Sequence, residues 1–298
     1  LPEPGRQRTS PEDQGSAVGY AWLYLGDLPA WNKAFPDSPP PLQAMSPAEN
    51  EALARIRADK SIGKSRYQFG GEPVQETEVL LTPLLCLHDP RVAVAFEKQI
   101  EEMLSVTGIA GVAFDYIGYQ NYRCCRCPES QRQLAAYRKQ RPDLPASEAL
   151  AQFSLETLVA FNNRLTAHVR RIKPDARVIT HVYPVYLPEP LYGNRLDVDV
   201  CGQTAAWFFE PFWELSKIRE YSRVISAEAK RCHPRAEGTA LLGYYNSPDK
   251  YPVKSPERLT AELQAILDGG CTRVQVCSFN HVLKSPDAAK VFQRFFGR

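Results

Sequence analysis

The sequence predicts an α/β architecture of the (β/α)8 TIM-barrel type, and three observations carry that reading. Apolar runs of strand length alternate with amphipathic stretches at helical spacing through most of the 298 residues, the rhythm of a parallel sheet with helical crossovers. The run 109–117 is the clearest buried strand, and it ends in a carboxylate, Asp115. The residues that end the other runs are acids, amides, imidazoles and aromatics, and active sites of parallel α/β folds lie at the carboxyl ends of their strands.

Taken in order, the first strand is expected at 17–25, after a polar extension over 1–16. A helix follows at about 47–59, with Ser46 and Glu49 spaced as a capping box. Residues 78–86 form an extended apolar run, a doubtful strand. After Asp89-Pro90 a helix is expected over 91–105, because Val92, Phe96, Ile100 and Leu104 fall on one face. Beyond the 109–117 strand come helices near 129–140 and 146–172. Further strands are expected at 177–185, 198–208, 239–245 and 273–279, and further helices at 211–231, 256–268 and 287–296.

This gives six firm strands where a closed barrel needs eight. Either two β-α units precede Leu1 or the barrel is open. The whole chain, 1–298, reads as one barrel-like domain, a size such barrels commonly have. The stretch 26–77 is too long for a plain connection. It is expected to fold over the mouth of the sheet or to carry a small hairpin near 65–81.

Composition removes several partner classes. Lys and Arg number 36 against 34 Asp and Glu, without a basic block that would seek nucleic acid or an anionic membrane. No apolar run reaches the roughly 18 residues of a membrane span. Gly-rich phosphate loops are missing, so no nucleotide cofactor is expected. His181 and His281 do not fall into a metal-binding pattern, so no catalytic metal is expected. A chain opening on Leu1 reads either as one whose signal peptide has been removed or as part of something longer. Eight cysteines lean toward an oxidising compartment, so a secreted, periplasmic or cell-envelope location is expected. The cluster Cys124, Cys125, Cys127 is read as a disulfide-braced loop, bonded internally or to Cys86 or Cys232. A structural metal there is the lesser reading, because no second zinc knuckle is visible.

The strand ends supply the candidate site. Asp115 and Glu210 are the candidate catalytic pair, since glycosidic cleavage commonly uses two carboxylates. A carboxylate in an apolar strand is costly unless hydrogen-bonded or working. The plain alternatives are a strand-end Asp115 that accepts loop hydrogen bonds and a Glu210 that serves a helix first turn. Asp27 and Asp249 are substitute acids. Candidate binding residues are Trp22, Tyr24, Tyr116, Tyr119, His181, Tyr183, Gln203, Trp207, Tyr245, Asn246, Asn280 and His281. Flat aromatic rings suit sugar faces, and amides and carboxylates suit hydroxyls, so a carbohydrate is the expected substrate.

The segment Leu87-His88-Asp89-Pro90-Arg91-Val92, the helix after it, and Gly111-Val112-Ala113-Phe114-Asp115-Tyr116-Ile117-Gly118-Tyr119 resemble a family of glycosyl hydrolase-like TIM barrels. That family ends its fourth strand with Gly, Ile or Val, any residue, Phe or Leu, then Asp-Tyr. The resemblance covers about 78–128 and elsewhere only strand order and a Gly243-Tyr244-Tyr245 strand end. It departs where the family has Asp-Gly, here Ala110-Gly111, and Arg, here Gly118. It implies that 109–117 is strand four and 17–25 strand three, that the first two β-α units lie before Leu1, and that Glu210 follows strand six. It implies a glycoside hydrolase cleaving a poly- or oligosaccharide. The alternatives are a non-catalytic sugar-binding barrel and an interaction domain of a longer envelope protein.

Overall fold

The computed structural model describes residues 19–58, 79, 82–115, 117–182, 195–206, 212–228, 236–249 and 252–297. Six strands run in one direction: β1 (Gly19–Tyr24), β2 (Ile109–Asp115), β3 (Arg177–Val182), β4 (Val200–Ala206), β5 (Glu237–Gly243) and β6 (Val274–Cys277). Each pairs in parallel with the next in sequence, giving the sheet order β1-β2-β3-β4-β5-β6. A doubly wound sheet reverses its order at a switch point. This one never does, and it curls into half of a barrel. The described strands number six, so the eight of a closed barrel are not reached.

Helices α1 (Leu28–Ala34), α2 (Pro47–Ala58) and α3 (Pro90–Ser105) lie between β1 and β2. Helices α4 (Pro128–Gln140) and α5 (Ala146–Ile172) lead to β3, α6 (Leu215–Glu228) to β5, and α7 (Pro256–Asp268) to β6. Helices α8 (Phe279–Leu283) and α9 (Pro286–Phe296) end the chain's regular structure. Several begin by one device, a capping side chain followed by proline. Asp89 accepts from Arg91 N at 3.0 Å, and Ser255 accepts from Arg258 N at 3.2 Å. Proline at the first helical position loses nothing, because its missing N–H would have had no helical partner. The Ser46–Glu49 capping box forms as expected: Glu49 N donates to Ser46 Oγ at 3.3 Å and Ser46 N to Glu49 Oε2 at 2.6 Å.

Alternation along the strands divides the sheet into two faces. Leu23, Val112, Phe114, Val178, Ala240 and Leu242 share one face and are at most 1% exposed. Helix α3 covers β1 and β2, while α6 covers β4 and β5. Val92, Phe96 and Ile100 of α3 are fully buried, and each such side chain contributes about 1.5–3 kcal/mol of hydrophobic stabilisation. The opposite, concave face carries Trp22, Tyr24, Asp115, His181, Thr204 and Cys277, by their positions in the strand register.

The sequence reading needs correction in places. The 78–86 run yields no strand among its described residues. It is a loop whose Leu85 makes one antiparallel bridge to Leu42, and its apolar character serves burial, since Leu84, Leu85 and Cys86 are fully buried. Helix α1 lies inside the 26–77 stretch, where the sequence predicts a helix only at about 47–59. Its signal was Asp27 as cap followed by Pro29: Ala30 N donates to Asp27 Oδ1 at 3.3 Å. The extension 1–16 and most of the expected hairpin at 65–81 lie outside the described residues.

Two constraints hold the sheet. A Cβ at Gly111 would sit 1.9 Å from the Arg177 carbonyl oxygen on β3, so any side chain there forces β2 and β3 apart. At the end of β4, Lys254 Nζ donates to Ala206 O at 3.2 Å and to Glu262 Oε2 at 2.6 Å. Burial pulls the Lys254 ammonium down to about 8 against the attraction of Glu262. Gly111→Ala is expected to lower stability by about 1–3 kcal/mol or more, as overpacking does. Glu262→Gln, which leaves a buried ammonium without its carboxylate, is expected to cost about 3–5 kcal/mol. Urea midpoints at constant m-value measure both.

Candidate functional site

The concave face gathers its polar residues where the strands end. Tyr24, the last residue of β1, is the register partner of Asp115, the last residue of β2. Trp22 lies two residues back on the same face, and its ring stacks on that of Tyr24 with centroids 5.3 Å apart and planes 11° from parallel. Ala113 is the register partner of Trp22, which is half-buried. The result is a flat aromatic wall beside a carboxylate.

Asp115 faces β3 on its other side. His181 Nδ1 stands 3.5 Å from Asp115 Oδ1, with the two side chains 11% and 22% exposed. Across β4, His181 Nε2 lies 2.9 Å from Thr204 Oγ1. The first is an ion-pair distance, and the second is a hydrogen bond whose direction follows the tautomer. The imidazole lies beside Asp115, and that carboxylate is partly open.

The far rim is built by β5 and β6. The Tyr245 hydroxyl lies 3.3 Å from Cys277 Sγ, and the Tyr245 ring lies against that of His281 with centroids 4.8 Å apart. Asn246 N donates to His281 Nδ1 at 3.2 Å. Burial, opposed by the Tyr245 hydroxyl and assisted by the Asp115 charge, pushes the Cys277 thiol up to about 11. It remains a neutral thiol at ordinary pH and is not an activated nucleophile. Burial also raises the Tyr24 phenol above its usual range, and the Thr82 hydrogen bond opposes this. The Asp115 and Asp27 charges add to the rise.

The expected residues separate into groups. Trp22, Tyr24, Asp115 and His181 stand on the concave face, and Tyr245, Asn246 and His281 contact one another at its rim. Asn280 is exposed on α8. Gln203 lies on the other face of β4 with Cys201, fully buried, its amide 3.9 Å from Cys201 Sγ. Tyr119 is 1% exposed; its hydroxyl donates to Ser154 O at 2.9 Å and lies 3.2 Å from His88 Nε2. Both of these face the interior instead of the concave site. Tyr116, Tyr183, Trp207 and Glu210 lie outside the described residues. Of the substitute acids, Asp27 is taken up as the α1 cap and by Gln99 at 2.7 Å, and Asp249 is exposed.

Sequence reasoning missed Thr204, Gln275 and Cys277. Period two along β4 would have found Thr204, because it shares the face of Gly202, the register partner of His181. Gly202 itself makes room: a Cβ there would meet Gln275 Oε1 at 2.1 Å. The expected disulfide of the cysteine loop is also corrected. Cys86 Sγ lies 3.7 Å from Cys125 Sγ and 3.4 Å from Cys127 Sγ, far beyond the roughly 2.05 Å of a bonded pair. Cys232 lies outside the described residues. Among the described residues no helix is long and apolar enough to cross a membrane.

No protein-family model and no curated protein matches the sequence. Among solved structures the chain is similar to alpha-L-fucosidase isoenzyme 2 from Paenibacillus thiaminolyticus, with a TM-score of 0.51 and 14% identity over 88% of this chain and 34% of that one. Weaker similarity extends to the beta-galactosidase from Rahnella sp. R3, with a TM-score of 0.49 and 11% identity over 86% and 45% of the two chains. Bee venom hyaluronidase follows, with a TM-score of 0.44 and 12% identity over 75% and 82%. The chain thus spans about a third of the fucosidase's length. At this identity the likeness is one of fold, and the fold is glycoside hydrolase-like.

Proposed function

We propose that this chain is a glycoside hydrolase that cleaves a poly- or oligosaccharide at the concave face of its half-barrel. One observation carries the reading: a partly open carboxylate, Asp115, ends β2 between a stacked aromatic wall and an imidazole. An aromatic wall offers a sugar ring a flat apolar surface, and the carboxylate beside it is placed to act on that ring. In this reading Asp115 is the nucleophile or base and Glu210 the acid. Trp22, Tyr24, Tyr245 and Asn246 bind sugar, and Tyr116, Tyr183, Trp207 and Asn280 extend the binding surface. The distance between the two carboxyl groups sets the outcome, with about 5 Å for retention and about 6.5–9.5 Å for inversion.

The experiment is hydrolysis of a panel of polysaccharides and aryl glycosides by wild type, Asp115→Asn and Glu210→Gln. Each variant, folded as judged by circular dichroism, is expected to lose at least about 10²-fold in turnover. Full activity in Asp115→Asn would sink the site assignment. Stabilisation by a glycan that is never cut would move the conclusion to a sugar-binding barrel.

His181→Phe tests separately whether the imidazole orients Asp115. A 3.5 Å charge contact of this kind is worth about 0.2–1 kcal/mol. The expected loss in turnover is therefore up to about fivefold, smaller than for Asp115→Asn. Turnover equal to wild type would show that His181 does not orient the acid.

A further inference from the structure

Beyond the proposed active site, the segment after β2 carries a second cluster of chemically potent side chains. Sulfur atoms of Cys86, Cys125 and Cys127 all lie within 4.8 Å of one another. Cys86 comes from the loop before α3, Cys125 and Cys127 from the loop after β2, and Ser130 from the first turn of α4. Cys86, Cys125 and Ser130 are at most 2% exposed, and Cys127 is half-buried.

The spacing has a specific meaning. A zinc–sulfur bond of about 2.3 Å in tetrahedral geometry puts neighbouring sulfurs about 3.8 Å apart. Cys86 stands 3.7 Å from Cys125 and 3.4 Å from Cys127. For an oxygen ligand at about 2.1 Å the corresponding sulfur–oxygen edge is about 3.6 Å. Ser130 Oγ lies 3.2 Å from Cys127 Sγ and 3.6 Å from Cys86 Sγ. Four of the six edges between three sulfurs and one hydroxyl oxygen are thus close to the lengths such a tetrahedron needs, and the remaining sulfur pair, Cys125 and Cys127, lies within 4.8 Å.

The backbone around the cluster is polarised the same way. Ala44 N and Cys127 N each donate to Cys125 Sγ at 3.4 Å, and Ser130 N donates to Cys127 Sγ at 3.4 Å. A neutral thiol is a poor acceptor, whereas three N–H groups aimed at two sulfurs suit thiolates. A ring of thiols hydrogen-bonded to one another would account for the short sulfur contacts but gives these N–H groups little to do. Cys124 is not part of the set; its backbone N–H donates to Asn121 Oδ1 at 3.0 Å.

We propose that Cys86, Cys125, Cys127 and Ser130 bind one thiophilic divalent cation of the zinc type, in a structural site of three sulfurs and one oxygen. The thiols bind as thiolates and release their protons to solvent. The ion joins two segments distant in sequence, one at Cys86 and one over 125–130, and fixes the loop that follows Asp115. The site rests on no part of the glycosidase reading, because metal binding is read without any sugar.

The test uses the full chain, purified under reducing conditions and dialysed against zinc. Wild type is expected to retain one equivalent of zinc by elemental analysis. Cobalt in its place should give the intense visible bands of a tetrahedral site with thiolate-to-metal charge transfer. Cys125→Ser and Cys127→Ser are expected to lose the metal, while Cys201→Ala and Cys271→Ala retain it. Ser130→Cys is expected to tighten zinc binding and Ser130→Ala to weaken it by about tenfold or more, the scale on which a single contact alters metal affinity. These two keep the test usable should the cysteine variants not fold. Wild type free of zinc and without the cobalt spectrum overturns the site, as does a Cys86 disulfide to Cys125 or Cys127 found by mass spectrometry. Unchanged affinity in both Ser130 variants removes Ser130 from the ligand set.

Discussion

Everything in this molecule depends on the need of a parallel sheet to cover both its faces. Each strand presents alternate residues to opposite sides, and helical crossovers can cover only the side on which they pack. Leu23, Val112, Phe114, Val178, Ala240 and Leu242 meet the helices and are sealed. The remaining positions turn to the inside of the curl, where polar side chains can meet one another and a ligand. Because the six strands follow one another in order, their carboxyl ends gather on one rim. Asp115, His181 and Thr204 come from three strands and meet only through that arrangement.

The loops that follow β1 and β2 are held by polar side chains more than by regular structure. Gln43, nearly buried, donates to Leu85 O at 3.0 Å and to Gly118 O at 2.8 Å, and its own carbonyl accepts from Gln120 N at 2.8 Å. One amide thus substitutes for a strand, supplying the partners that buried backbone groups require. Asn121 continues the network, donating to Glu49 Oε1 at 2.9 Å while its carbonyl accepts from the backbone of Arg123 and Cys124. Glu49 therefore both caps α2 and anchors the segment that follows Asp115. A buried network of this kind is stable only when its members are paired, and it specifies a single loop conformation for the same reason.

The long helices were legible in the sequence, whereas the short α1 and α8 were not. The spans 146–172 and 256–268 agree with α5 and α7 to the residue, because long amphipathic periodicity and X-Pro caps are local signals. Asking what ends each strand picks out Asp115, Trp22 and Tyr24, which share the concave face, and the pair Tyr245 and His281, whose rings touch at its rim. Gln203 was taken for the site because it is polar and near a strand end; the pleat turns it to the helices and turns Thr204 to His181 instead. Tyr119 was misplaced for a different reason, since nothing local shows that the loop after β2 folds back under α5 and buries its ring.

By itself, then, the sequence determined the α/β class, the order of the six strands and the long helices, and the carboxylate that ends β2. Hydrophobic period, cap residues and proline act within a few residues of themselves, and these features need nothing more. Only the tertiary structure decided which face each polar residue takes, that His181 and Thr204 stand behind Asp115, and that Cys86 meets Cys125 and Cys127 without bonding to them. Those facts depend on strand register and on segments brought together from tens of residues apart, and neither leaves a mark in local sequence.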